Sequence, residues 1–130
     1  MPNHFHLIAQ FLAADPFDAV LRDYKKQTAD RIVRQLKAEE NQQALTTLAA
    51  KSDPRRQQFK IWEDGYNAKA VVSADFLQQK MKYIHNNPCQ PHWRLSSSPE
   101  TYLWSSARFY HTDQPCIIPI DDVRKIGLDG

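Results

Sequence analysis

Residues 4–12 read HFHLIAQFL, a run of β-favouring and apolar side chains with two histidines two positions apart. Alternation predicts a short strand from His4 to Ala9, buried on at least one face. In such a strand His4, His6 and Ile8 share one side while Phe5, Leu7 and Ala9 share the other. Two imidazoles on one side can reach a common ion. Alone the pattern is weak, because a chain with five histidines can hold such a pair by chance. The plain alternative is two histidines on a half-exposed face, one of them bonded to backbone.

Working outward, Asp15-Pro16 reads as a helix start, with Asp as N-cap and Pro at the first helical position. Phe17, Val20, Leu21, Tyr24, Thr28, Ile32 and Leu36 then recur as a helical stripe. The other side carries Arg22, Lys25, Lys26, Arg31, Arg34 and Lys37, either a solvated face or one turned toward a polyanion. Glu39 to Ser52 stays polar and helix-prone, anchored by Leu45 and Leu48. Gln58 to Trp62 alternates as a second strand, Glu63 to Tyr66 reads as a turn, and Asn67 to Val72 as the returning strand. Asp75 opens a further helix with Gln78 as capping-box partner. Its stripe is Phe76, Leu77, Met81 and Ile84, and Pro88 stops it. Loop signals follow, then an aromatic cluster from Tyr102 to Tyr110, in which Trp104, like Trp62 earlier, is expected in the core. Ile117 to Ile126 is a short apolar piece within a C-terminal extension, residues 111–130. Repeats and low-complexity tracts are absent from the sequence.

The helix from Asp75 brings the second constellation, Tyr83-Ile84-His85-Asn86-Asn87-Pro88. Tyr83 and Asn87 stand four apart, so their side chains are neighbours at the edge of the apolar stripe. Tyrosine is a recognised covalent nucleophile, and a phenol, being a weak acid, needs an ion or a base to help it ionise. Two imidazoles and one amide oxygen would leave positions open on a divalent ion, which could polarise a phosphodiester. The plain readings are a boundary tyrosine with a solvated hydroxyl and a helix-end asparagine ahead of a proline.

Composition sets the bounds. The chain has 130 residues, 42% hydrophobic and 25% charged, which is about one domain and excludes collagen, coiled coil and full disorder. Mean hydropathy is −0.65, and no run approaches the roughly 20 apolar residues of a membrane span. Seventeen basic against fifteen acidic residues give a net charge of +2, so any basic surface must arise by segregation. Cys89 and Cys116 are too few for a disulfide framework, which points to a reducing cytoplasm. The first residues lack the basic and apolar regions of a targeting peptide.

Taken in order, MPNHFHLI, LRDYKKQTADRI, QFKIWEDGYNAKAV, KMKYIHNNP and YLWSSARFY resemble the HUH-superfamily single-tyrosine transposases. The nearest likeness is to the insertion-sequence-200-like, REP-associated tyrosine transposase branch, and it spans Met1 to about Tyr110. The resemblance implies an α+β, ferredoxin-like fold: an antiparallel sheet with helices packed on one face. It implies His4, His6 and Asn87 as ligands of Mg²⁺ or Mn²⁺, and Tyr83 as the nucleophile. It implies cleavage and rejoining of single-stranded or hairpin DNA through a 5′-phosphotyrosine, often by a homodimer, in the bacterial cytoplasm near the nucleoid. Relatives carry a sheet strand and a helix ahead of the His-x-His segment, so this chain reads as one catalytic domain lacking that N-terminal part. After Pro88, relatives continue with a Val-x-x-Gly-Leu-Val type segment, whereas Cys89 to Leu95 reads CQPHWRL.

Phosphate contacts are expected from Lys25, Lys26, Arg31, Arg34, Lys80 and Lys82, with Arg55, Arg56 and Lys60 as further candidates. Trp62, Tyr66, Trp93 and Trp104 offer faces for unpaired bases. Two other functions compete: a non-catalytic single-stranded nucleic-acid-binding remnant of such a transposase, and a small metallohydrolase built on His4 and His6.

Overall fold

Helices carry the computed structural model, which describes residues 1–11 and 16–125. They are α1 (Phe17–Ala38), α2 (Gln42–Ala50), α3 (Ala74–Asn86) and α4 (Ala107–Thr112), with 3₁₀ turns at Asn87–Cys89, Pro99–Thr101 and Val123–Lys125. Among the described residues there is no strand and no sheet, so the ferredoxin-like α+β architecture is not the one this chain adopts. His4 to Ala9, Gln58 to Trp62 and Asn67 to Val72 all run as irregular chain. β-Propensity measures how well side chains suit a paired, pleated surface, and it cannot supply the pairing partner. None of the described helices is long and apolar enough to cross a membrane.

Contacts divide the chain into two compact units. One spans Ala9–Asn67 and is built on α1 and α2. The Asp15 cap expected for α1 lies outside the described residues. At its other end, α1 closes in a Schellman motif: the Asn41 amide donates to Leu36 O at 2.9 Å and the Glu40 amide to Lys37 O at 3.1 Å. Glu40 takes a left-handed conformation, φ 53°, in the position that glycine usually fills. Asn41 then caps α2, its side-chain oxygen accepting from the Ala44 amide at 3.1 Å. Leu45 is the buried anchor of this helix pair.

Residues 57–66 lie along α1 as a strap. Trp62 Nε1 donates to Thr28 Oγ1 at 3.0 Å, and Lys25 Nζ donates to the carbonyls of Glu63 (2.9 Å) and Gly65 (2.6 Å). The Lys60 amide donates to Leu48 O, and the Tyr66 hydroxyl pairs with Asp18. Gly65, φ 74°, makes the turn. Lys25 of α1 thus satisfies two carbonyls of the segment expected as the turn, Glu63 to Tyr66. The expected stripe is partly covered: Phe17, Leu21, Thr28 and Leu36 are half-buried, while Val20, Tyr24 and Ile32 are exposed, and Ala29 and Val33 join Leu21 in lining the groove under the strap.

The second unit comprises Met1–Ile8 and Ala68–Gly130. Here α3 starts two residues earlier than the capping-box pattern suggests. Ser73 is the N-cap, extended at φ −151°, and its Oγ accepts from the Phe76 amide at 3.2 Å. Phe76, Leu77, Met81 and Ile84 are half-buried, as the stripe predicts. The chain leaves the helix through Pro88, and the Leu95 amide returns to Pro88 O at 2.9 Å. His85, 4% exposed, holds Ser106 Oγ at 3.0 Å from its Nε2. This bond ties α3 to the turn before α4, where Ala107 is fully buried against the Pro99–Thr101 turn. Trp104 is 71% exposed, against the expectation of a core position, whereas Trp62 is half-buried. The small Ala107 takes the interior place, and the Leu103–Trp104 turn projects outward.

Candidate functional site

Helical spacing on α3 puts Tyr83 and Asn87 one turn apart on the same face. Asn87 is the C-cap residue, still helical at φ −55°, and is buried at the start of the Asn87–Cys89 turn. Tyr83 is 58% exposed. Against this face lies the His-x-His segment of the same unit. His6 Nε2 stands 2.8 Å from Asn87 Nδ2, and the His6 ring meets the Tyr83 ring edge-on, centroids 5.6 Å apart. The His4 ring meets His6 edge-on at 5.1 Å and 84°, and the Trp93 ring lies against His4 at 5.5 Å. The four residues expected to share a site are therefore adjacent. Irregular chain, not a sheet, carries the histidines to it.

Burial and the neighbouring His4 ring lower the His6 pKa below the ordinary histidine value. A neutral His6 keeps one nitrogen lone pair available. The Asn87 amide, an N–H donor, contacts His6 at Nε2, so that lone pair is on Nε2. His4 is held differently: its Nδ1 stands 2.7 Å from the side-chain oxygen of Asn3.

Imidazole nitrogen and amide oxygen are donor types that a divalent ion accepts. His6 Nε2 and the Asn87 amide stand 2.8 Å apart, and with that amide turned about its own axis Asn87 would offer oxygen in place of nitrogen. No group of three His, Cys, Asp or Glu side chains able to hold a metal occurs among the described residues. The candidate set thus comprises two imidazoles and an amide, with further positions left to substrate or water.

The basic residues fare unevenly. Lys26, Arg31 and Arg34 are exposed on α1. Lys25 is committed to the strap through its two carbonyl bonds. Lys60 pairs with Glu63 (3.0 Å) and Asp64 (3.4 Å). Arg55 and Arg56 are exposed in the turn after α2. On α3, Lys80 is half-buried with its Nζ 4.9 Å from the Phe76 ring centre, and Lys82 is exposed one residue before Tyr83.

Two contributors carry little sequence signal. The His85–Ser106 bond fixes α3 from the side opposite Tyr83, and nothing in the spacing of those residues announces it. Asn3 directly precedes His4, and an amide beside a candidate ligand is the one cue that could have drawn attention to it. Comparison with known proteins found no matching family, no matching curated protein and no matching solved structure.

Proposed function

We propose that the chain cleaves and rejoins single-stranded DNA, with Tyr83 as nucleophile and His4, His6 and Asn87 as holders of Mg²⁺ or Mn²⁺. The observation that carries this reading is the adjacency of His6 to both Tyr83 and Asn87. A divalent ion, when bound, supplies Lewis-acid polarisation of the phosphodiester. Tyr83 Oη gives its proton to solvent and attacks phosphorus; the Oη–P bond forms and the P–O3′ bond breaks. The leaving 3′-oxygen takes up a proton, leaving a 5′-phosphotyrosine and a free 3′-hydroxyl. Attack by a second strand's 3′-hydroxyl on phosphorus reverses the step. The phosphoester bond is exchanged at each stage, so no nucleotide cofactor is consumed. Exposure of Tyr83 leaves room for a strand, and Lys82, exposed beside it on α3, can contact its phosphates.

A second reading keeps the binding and drops the chemistry. What favours it is the irregular course of residues 4–9, which leaves His4 and His6 without a sheet to hold them rigidly. The test uses the full chain, Mn²⁺ and an end-labelled hairpin oligonucleotide. The catalytic reading expects a denaturant-resistant protein–DNA adduct that Tyr83→Phe abolishes. Binding without any adduct supports the second reading. Cleavage that persists in Tyr83→Phe overturns the nucleophile assignment and favours a metallohydrolase.

A further inference from the structure

We propose that Asn3 is a positioning residue that sets the tautomer of His4, so that both imidazoles offer the same nitrogen, Nε2, to one cation. The inference rests on the metal-dependent reading above and deepens it. A side-chain amide oxygen only accepts hydrogen bonds, so the ring proton of His4, 2.7 Å from Asn3 Oδ1, is on Nδ1. A neutral imidazole has one N–H, which leaves the lone pair on Nε2. The free imidazole of histidine in water prefers the opposite arrangement, with its proton on Nε2. Asn3 therefore reverses the default.

At His6 the same outcome is reached from the other direction. The Asn87 amide nitrogen only donates, so Nε2 of His6 is the acceptor and carries the lone pair. Both rings thus carry the lone pair on Nε2: at His4 Asn3 leaves it open, and at His6 the Asn87 amide must release it before a cation can take it. The rings stand edge to face at 5.1 Å, and Trp93 against His4 opposes a ring flip that would put Cδ2 in place of Nδ1 beside Asn3. The departure from strand geometry bears on this arrangement. In a strand, successive side chains point to opposite faces, and Asn3 could not reach the ring of His4. In the irregular chain it can. Hydrogen-bonded partners of ligating histidines commonly fix ring orientation and tautomer in this way, and their loss typically weakens metal binding 10–100-fold.

The test is made on the full-length, ¹⁵N-labelled, metal-free protein at alkaline pH, where imidazoles are neutral. Long-range ¹H–¹⁵N correlation of the histidine rings reads each tautomer directly. The wild type is expected to show His4 protonated on Nδ1. Asn3→Ala is expected to move that proton to Nε2, and Asn3→Asp, which keeps an acceptor oxygen, to restore it. By titration calorimetry with Mn²⁺, Asn3→Ala is expected to bind about 10-fold more weakly and Asn3→Asp to recover. The His85 ring signals should be the same in all three proteins, which excludes a general loss of fold. An unchanged His4 tautomer in Asn3→Ala overturns the proposal, as does a changed tautomer with unchanged Mn²⁺ affinity. The tautomer readout involves no DNA, so a failed adduct assay with Tyr83 leaves it standing and is distinguished from it.

Discussion

His6 and Asn87, 81 positions apart in sequence, meet through Nε2 and Nδ2 at 2.8 Å. This is a link between an irregular N-terminal segment and the buried end of α3. It gives the candidate site its geometry and joins that geometry to stability.

Asn87→Ala should therefore have two effects. Removing a buried hydrogen-bonded amide is expected to cost about 1–3 kcal/mol in chemical denaturation. It should also weaken Mn²⁺ binding at least as much as Asn3→Ala does. Asn87→Asp is expected to retain Mn²⁺ binding, since a carboxylate oxygen suits a hard cation better than an amide. Equal stability of Asn87→Ala and wild type would contradict the role given to this contact.

Glu40 offers a gain in stability. Its φ of 53° sits in the left-handed region at the end of α1, which disfavours any side chain with a Cβ. Glu40→Gly should relieve that strain and stabilise the protein by about 1 kcal/mol, less the added backbone freedom of the unfolded chain. Thermal unfolding checks it, and a lower midpoint would refute the strain argument.

Lysines adjacent in sequence should behave differently. Lys25→Ala removes both bonds to the strap carbonyls and is expected to cost about 1 kcal/mol of stability. Lys26→Ala, at an exposed position, should leave stability within about 0.5 kcal/mol. If α1 contacts DNA, Lys26→Ala should reduce the salt dependence of oligonucleotide binding by about one phosphate's worth of slope. Denaturation curves and a salt titration of binding separate the two roles.

Acid should weaken the fold through His85. Burial first, and then the nearby His111, lower its pKa below the ordinary value. Ser106 accepts or donates at its Nε2, the rings of Tyr110 and His111 lie 5.5 and 5.8 Å away, and Lys82 and Arg124 line the same groove, a cavity of about 640 Å³. The unfolded chain therefore takes up the proton first. The contribution is fully present above the unfolded histidine value, near pH ~6.5, and is lost as pH falls through the folded value. Urea midpoints measured from neutral to mildly acidic pH should decline, and His85→Gln should flatten the decline. His6 shifts in the same direction, so part of the decline should survive in His85→Gln.

Much of the helical frame was legible in the residues. The α3 stripe and its stop at Pro88 are local patterns, and local hydrogen bonding within a helix suffices to realise them. The adjacency of Tyr83 and Asn87 follows from helical spacing alone. The strands were not legible, because a ladder needs a distant partner and alternation carries no information about whether one exists. Gln58 to Trp62 alternates well, yet Thr28 of α1 engages Trp62 and Leu48 of α2 engages the Lys60 amide instead. Trp104 fails for a related reason: its size argues for burial, but it is Ala107 that takes the interior position, and Trp104 is left exposed.

Lys25 carries one more implication, for chemical reactivity. An amine that donates to two carbonyls must give up both bonds before it can attack an acylating reagent. Its neighbour Lys26 has no such step to make at its exposed position. Under brief, dilute labelling Lys26 should be modified while Lys25 is spared, and Lys25 should become reactive only when the strap lifts. One side chain thus doubles as a built-in gauge of whether residues 57–66 are seated on their helix.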